Sequence, residues 1–231
     1  MSGDTSTEPK PPEPEGVELK RQKEALRARF RAARRALPLS AHAERSRELS
    51  RLIFEALSSD ERLGRVETIA CYDAFDGEPQ LSPLYEALRS RSRATRLAFP
   101  IHSRGEPLKF YEAQTWEERP GSYRRPVGPS VALDELELLL IPGVAFTPSG
   151  LRLGFGGGFY DRSFPALSGA ARSAELEPAL KTSGLISFGV AFSLQLTPSL
   201  PSAPWDIQVD AVVSERGWCG PHLGSSQRRT P

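Results

Sequence analysis

The residue types that handle phosphate are concentrated between Ile141 and Arg162, in the run IPGVAFTPSGLRLGFGGGFYDR. Gly154, Gly156, Gly157 and Gly158 lack a Cβ, so the backbone there can take positive φ and approach a ligand closely, with successive N–H groups converging on an anion. Arg152, just before them, carries a rigid fork of donors that matches phosphate oxygens. Asp161, just after, is a hard oxygen ligand suited to Mg²⁺ beside those phosphates. A helix opening at Phe159 would add its N-terminal partial charge. Taken alone, the glycines could form a sharp turn and nothing more. Arg152 on one side and Tyr160-Asp161 on the other favour an anion site.

The common nucleotide motifs are incomplete in this run. Gly154-Phe155-Gly156 begins a G-x-G-x-x-G pattern, but Phe159 stands at the third glycine. No Gly-Lys-Ser/Thr occurs in the chain, which excludes a Walker-type phosphate loop.

Three further features carry chemistry. Lys23 and Arg27 are four residues apart and share a helix face beside Leu26 and Phe30, where they can reach over a core edge toward a site. The competing reading is a solvated basic surface, which is how Arg29, Arg31, Arg34 and Arg35 are read. Phe75-Asp76-Gly77-Glu78 follows the apolar run ending at Tyr72, so Glu78 could accept hydrogen bonds from amino or amide groups of a ligand, or sit in an ordinary acidic turn. Asp206, in Trp205-Asp206-Ile207, is either a second oxygen ligand for the ion held by Asp161 or a turn residue.

The elements that must position these residues alternate in type. Helical spacing of Leu26, Phe30, Ala33 and Leu37 predicts a helix over about 18–36, ended by Pro38. Ser40 is placed to cap a second helix carrying Leu49, Leu52, Ile53, Ala56 and Leu57. Strands are expected at Thr68–Tyr72, Arg96–Phe99, Leu108–Tyr111, Leu136–Ile141, Leu185–Val190 and Ala211–Val213, with helices at Leu81–Arg89 and from Phe159. The unbroken Leu138–Ile141 suggests a strand buried on both faces. The expected fold is therefore α/β: an open, mostly parallel sheet flanked by helices, preceded by an N-terminal helical pair. Ligands of such sheets lie outside the carboxyl ends of the strands.

Composition limits the rest. Over 231 residues, 30 Lys and Arg against 29 Asp and Glu give a formal net charge of +1, which argues against a whole-chain grip on nucleic acid. No apolar run approaches the length of a membrane helix, and no secretory leader is visible. Cys71 and Cys219 sit in no metal or disulfide pattern, and the three histidines are scattered. The chain reads as a reduced, cytoplasmic monomer acting on small molecules, without nucleic-acid or membrane partners. Residues 1–16 and 218–231 read as disordered tails around a single domain spanning 17–217.

Together these segments resemble the 5-formyltetrahydrofolate cyclo-ligase (methenyltetrahydrofolate synthetase) family. Arg152-Leu-Gly-Phe-Gly-Gly-Gly-Phe-Tyr-Asp161, preceded by Pro142-Gly143-Val-Ala-Phe146, is similar to its most specific signature. Lys23-Glu-Ala-Leu-Arg27 is similar to its N-terminal K-x-x-L-R element, and Phe75–Glu78 and Trp205-Asp206 to its acidic turn and late aspartate. The match runs over roughly 18–216.

The resemblance implies an ATP- and Mg²⁺-dependent enzyme that cyclises 5-formyltetrahydrofolate to 5,10-methenyltetrahydrofolate. Lys23, Arg27, Arg152, Leu153, Gly154, Phe155, Gly156, Gly157, Gly158, Phe159 and Tyr160 are then expected to bind ATP, with Arg152 and Tyr160 catalytic. Asp161 and Asp206 are expected to hold Mg²⁺. Asp73, Glu78 and the Phe155–Phe159 wall are expected to hold the folate. Three residues depart from the family pattern: Phe159 where many members have tyrosine, Gly157 where some have lysine, and Arg125 where an acidic residue is expected. The first two leave open an alternative, a folate- or nucleotide-binding paralogue without this turnover. Another phosphate-using α/β enzyme on a similar scaffold is a further alternative.

Overall fold

A computed structural model describes residues 15–119, 124–173 and 184–220. Two helices come first, α1 (Glu15–Arg35) and α2 (Leu39–Ser59). They are followed by β1 (Thr68–Ala70), α3 (Ser82–Arg91), β2 (Arg96–Ile101), β3 (Lys109–Glu112), β4 (Thr115–Glu117), β5 (Arg125–Val127), β6 (Ser130–Val131) and β7 (Leu138–Pro142). The remainder comprises β8 (Ala145–Phe146), β9 (Arg152–Leu153), α4 (Phe159–Ser163), α5 (Gly169–Ser173), β10 (Ile186–Val190), β11 (Ala211–Ser214) and β12 (Gly217–Cys219).

Several expected boundaries move. α1 begins at Glu15, inside the stretch expected to be a tail. Trp218 and Cys219, also assigned to a tail, pair with Val213 and Val212 in the last strand, where Trp218 lies edge-on against Phe188. Residues 1–14 and 221–231 lie outside the described residues. Ser40 does not cap α2. Pro38, with φ −57° and ψ 144°, occupies the cap position, because its ring already fixes the turn into the helix, and Ser40 falls within the first turn.

Among the described residues, eight strands form one sheet in the order β12-β11-β10-β7-β1-β2-β3-β6. The central strands β11, β10, β7, β1 and β2 are parallel, and the edges are antiparallel. The alternation of side chains along β7 shows why its apolar run is unbroken. Leu138 and Leu140 pack on one face with Leu49 and Ile53 of α2 and Leu84 and Leu88 of α3. Leu139 and Ile141 pack on the other with Tyr160, Phe164 and Leu167. All four are fully buried, each contributing roughly 2 kcal/mol of transfer free energy.

The chain leaves β1 to one side, through α3 to β2, and returns on the other side as β7. This reversal opens a crevice at the carboxyl ends of β1, β2 and β7. α1 packs across the short β8–β9 hairpin, with Phe30 against Val144, Ala145, Leu153 and Leu200. No helix among the described residues is long and apolar enough to cross a membrane.

Candidate active site

The crevice is a cleft of about 600 Å³, and every residue expected at a functional site borders it. Its floor is the β8–β9 hairpin and the loop after it. A turn closes the hairpin, with the Gly150 N–H donating to Thr147 O at 3.0 Å and the Leu151 N–H to Thr147 Oγ1 at 3.0 Å. Arg152 then enters β9 and donates from Nε to Pro142 O at 2.9 Å, with its guanidinium 4.8 Å from the ring centre of Tyr160. The guanidinium is thus held against the end of β7. Leu153 points into the core, so its contribution to a ligand is its backbone.

Gly156 at φ 99° and Gly158 at φ 65° take backbone conformations that side-chain-bearing residues avoid. The helix expected from Phe159 is a single turn, Phe159–Ser163, so its dipole adds little. The groups here able to attract an anion are the loop N–H groups and the nearby cations.

Those cations arrive along one stripe of α1. Lys23, Arg27, Phe30 and Arg34 follow at i, i+4, i+7 and i+11 and so face the same way. Arg27 donates from Nε to Gly154 O at 2.8 Å, joining the helix to the glycine loop. Lys23 Nζ lies 2.5 Å from Asp206 Oδ2, which also accepts the Ala203 N–H at 2.6 Å. Asp161 Oδ1 accepts the Ile207 N–H at 3.1 Å. Binding the amide next to Asp206 brings the two carboxylates to one side of the cleft, a proximity that the spacing of 161 and 206 in sequence did not reveal.

The donor set fits Mg²⁺. That ion usually takes one or two protein carboxylates and completes its shell with phosphate oxygens and water. Among the described residues, no group of three His, Cys, Asp or Glu forms an all-protein cage. Asp161 and Asp206 would hold the ion at the phosphate end, although Lys23 occupies one Asp206 oxygen in this structure.

Glu78 is 5% exposed and accepts the Phe75 N–H on Oε2 at 3.0 Å. Burial pushes its carboxyl up to about 7, against the opposing influence of that N–H and of Arg34 and Arg152. The turn carrying Glu78 is pinned from α2 and from the end of β1. The Tyr72 hydroxyl donates to Pro79 O at 2.8 Å, the Gln80 N–H donates to Ser46 Oγ at 3.1 Å, and His42 Nε2 lies 3.0 Å from Glu78 O.

The reading of Arg34 as solvated surface is corrected here, whereas Arg35 is exposed and Arg31 partly so. All three converge on Asp76, a residue at φ 54°, and Arg34 is 1% exposed. Arg34 also donates to Asp76 O at 3.0 Å and Gly143 O at 3.2 Å. Its one usable signal was position: it continues the Lys23, Arg27, Phe30 stripe. Arg31 and Arg34 lie over the Phe155 ring at 5.3 and 5.5 Å, so this expected folate-wall residue is backed by cations.

On the far wall, Asp73 is gripped by Arg124, which covers Trp116. Arg124, Trp116 and His102 border the cleft and were missed by sequence reasoning, because the β4–β5 hairpin that brings Trp116 and Arg124 there has no distinctive pattern. A Cβ at Gly157 would stand 2.6 Å from Cε2 of Phe159, whose ring lies edge-on to His102. With the ring at 159 placed this way, a side chain at position 157 would require that ring to move.

A glycine loop, three cations and two carboxylates at the switch point of an open parallel sheet define a phosphate-handling α/β enzyme. The chain belongs to the 5-formyltetrahydrofolate cyclo-ligase family, whose model matches residues 19–215. That family comprises ATP-dependent ligases converting 5-formyltetrahydrofolate to the methenyl form. A 5-formyltetrahydrofolate cyclo-ligase of Escherichia coli strain K12 is 30% identical over 163 residues, covering 64% of this chain and 77% of that protein. One from Haemophilus influenzae is 27% identical over 160 residues, covering 64% of this chain and 76% of that protein. Among solved structures, the Aquifex aeolicus 5,10-methenyltetrahydrofolate synthetase superposes with a TM-score of 0.65 at 28% identity, covering 90% of this chain and 96% of that one.

Proposed function

We propose that this cleft performs the family's ring closure by phosphorylating the formyl oxygen of 5-formyltetrahydrofolate with ATP. The formyl group on N5 is amide-like, a poor electrophile with a poor leaving group. Its oxygen attacks the γ-phosphorus of ATP, and ADP leaves. The carbon becomes iminium-like, N10 of the same molecule attacks it, N10 loses its proton, and inorganic phosphate departs as the ring closes.

Such a sequence needs positioning and charge neutralisation more than a protein nucleophile. Lys23, Arg27, Arg152 and the N–H groups of residues 154–160 hold the phosphates and meet charge as it moves between them. Asp161 and Asp206 would hold Mg²⁺, which supplies charge neutralisation to the phosphate oxygens. Glu78 accepts hydrogen bonds from amino or amide groups of the folate, and Phe155 and Phe159 wall its ring system. Because N10 attack is intramolecular, fixing the pteridine and aminobenzoyl parts in one conformation supplies much of the rate. We also infer a monomer working in a reducing, cytoplasmic setting; Cys71 and Cys219 are both free thiols.

The single observation that carries this reading is the bond from Arg27 Nε to Gly154 O, which places the first helix's cations over the glycine loop. The test is near-ultraviolet absorbance of the methenyl product from 5-formyltetrahydrofolate, ATP and Mg²⁺. Product that requires both ATP and the metal is the expected result. ATP binding without product overturns the reading and favours the non-catalytic paralogue, for which the Phe159 and Gly157 departures are the motivating feature.

A further inference from the structure

We infer that Arg124 is a specificity residue for the substrate's acidic tail, taking the glutamyl carboxylate of the folate in place of Asp73. The inference rests on the cyclo-ligase reading and adds a recognition element to the wall opposite the residues assigned to phosphate.

The cleft's arginines differ in how they are tied. Arg27, Arg152 and Arg162 each donate to a backbone carbonyl, respectively Gly154 O, Pro142 O and Gly157 O, and so belong to the framework. Arg124 instead grips a side-chain carboxylate. Its Nε lies 3.0 Å from Asp73 Oδ2 and its terminal nitrogen 2.5 Å from Asp73 Oδ1, the two-point geometry that a guanidinium offers any carboxylate. The pair is open to solvent, with side chains 42% and 26% exposed. An ion pair that accessible is only weakly held, so exchanging one carboxylate for another costs little.

The guanidinium is nevertheless pre-aimed. It sits 4.6 Å from the ring centre of Trp116, which packs edge-on against Phe99 at 4.9 Å, which in turn packs edge-on against Tyr85 at 5.3 Å. Tyr85 and Phe99 are core residues, so this aromatic series anchors Arg124 to the sheet. A two-point cation seated on an aromatic face at the cleft suits the end of a folate, where an aminobenzoyl ring precedes an α-carboxylate. Arg125, the neighbouring residue where the family resemblance led to an acidic expectation, opens β5 and adds positive charge beside Arg124.

The test compares 5-formyltetrahydrofolate with its diamide, in which both glutamyl carboxylates are neutral, for the wild type, Arg124→Gln and Arg124→Lys. Calorimetric titration without ATP reads binding, and methenyl absorbance with ATP reads kcat/KM. For the wild type, the acid is expected to be favoured over the diamide by up to about fivefold in both readouts, the range for a solvent-accessible charge pair. Arg124→Gln collapses the preference toward one, and Arg124→Lys, which keeps the charge but not the fork, gives an intermediate ratio. An equal preference in wild type and both variants overturns the assignment, as does a loss in Arg124→Gln that falls equally on acid and diamide. Should the wild type bind but turn over neither compound, the cyclo-ligase reading fails, and the binding ratio still decides the role of Arg124.

Discussion

Lys23 Nζ and Asp206 Oδ2 meet at 2.5 Å across 183 residues of sequence, tying the first helix to the turn before the last parallel strand. The pair couples an expected phosphate cation to an expected metal ligand. Both side chains are largely withdrawn from water, at 13% and 14% exposed, so the contact is screened less than a surface pair.

Lys23→Met removes the cation while keeping most of the stem's packing. ATP affinity is expected to fall roughly 10- to 100-fold, the range for losing a charge-assisted bond to phosphate. Asp206→Asn is expected instead to raise the Mg²⁺ concentration needed for half-maximal ATP binding, because it weakens a metal ligand while freeing Lys23. Titration calorimetry at several metal concentrations separates the two. Unchanged ATP affinity in Lys23→Met would remove Lys23 from the phosphate site.

Asp76 is where three arginines converge, and Arg34 is almost wholly enclosed. Removing the carboxylate in Asp76→Ala leaves Arg34 charged and under-compensated, at an expected cost of about 3–5 kcal/mol. It also places alanine at φ 54°, which aspartate and asparagine tolerate better. For a chain of this size the melting temperature should drop by roughly 10 °C, followed by circular dichroism. Asp76→Asn keeps the backbone tolerance and some hydrogen bonding and is expected to lose less. Equal melting temperatures for the wild type and Asp76→Ala would show that the arginines find other partners at no cost.

Gly156→Ala tests the loop. Its φ of 99° disfavours any side chain, and the added Cβ would stand 3.4 Å from Arg27 Cζ. The expected result is a stability loss of about 1–2 kcal/mol together with weaker ATP binding, since relief of the strain moves loop N–H groups away from the phosphates. Loss of stability with ATP binding intact would separate the glycine from the ligand.

How much of this was legible in sequence depends on where each residue's partners lie. The parallel core was readable, because Leu138–Ile141 is apolar at every position and only a strand covered on both faces needs that. The glycine loop was readable, because its unusual backbone demands an unusual local composition. The four-residue spacing put Lys23 and Arg27 on one helix face, but it was the family resemblance that directed them to the cleft they border. Arg34 was not: a buried arginine looks like its exposed neighbours until Asp76 and Gly143 O, far along the chain, are brought to it. The Trp116–Arg124 wall depends on the short β4–β5 pairing, and its residues carry no periodic signal. Likewise, Asp206 is brought beside Asp161 by the Ile207 N–H, a tertiary bond with no trace in local spacing.

Glu78 gives the most direct pH test. Burial raises its carboxyl from the usual 4.5 to about 7. Below about 4.5 the folded and unfolded chains both carry the proton. Between 4.5 and 7 the unfolded chain releases it while the folded chain retains it, so stability from this group declines as pH rises. Above 7 the folded group is ionised too, and the loss levels off at a value on the order of 3 kcal/mol. Glu78→Gln cannot ionise, so its stability should overtake that of the wild type progressively from pH 4.5 to 7 and hold a constant lead above that. Activity should move the opposite way. The ionised carboxylate is the better acceptor for the folate's amino and amide groups, so the wild type's kcat/KM for the folate should rise through pH 7. The glutamine variant should be lower and flat over the same range. Chemical denaturation and initial rates at matched pH values measure the two trends. A wild-type rate profile that shows no inflection near 7, or a variant that keeps the inflection, would assign the proton to another group.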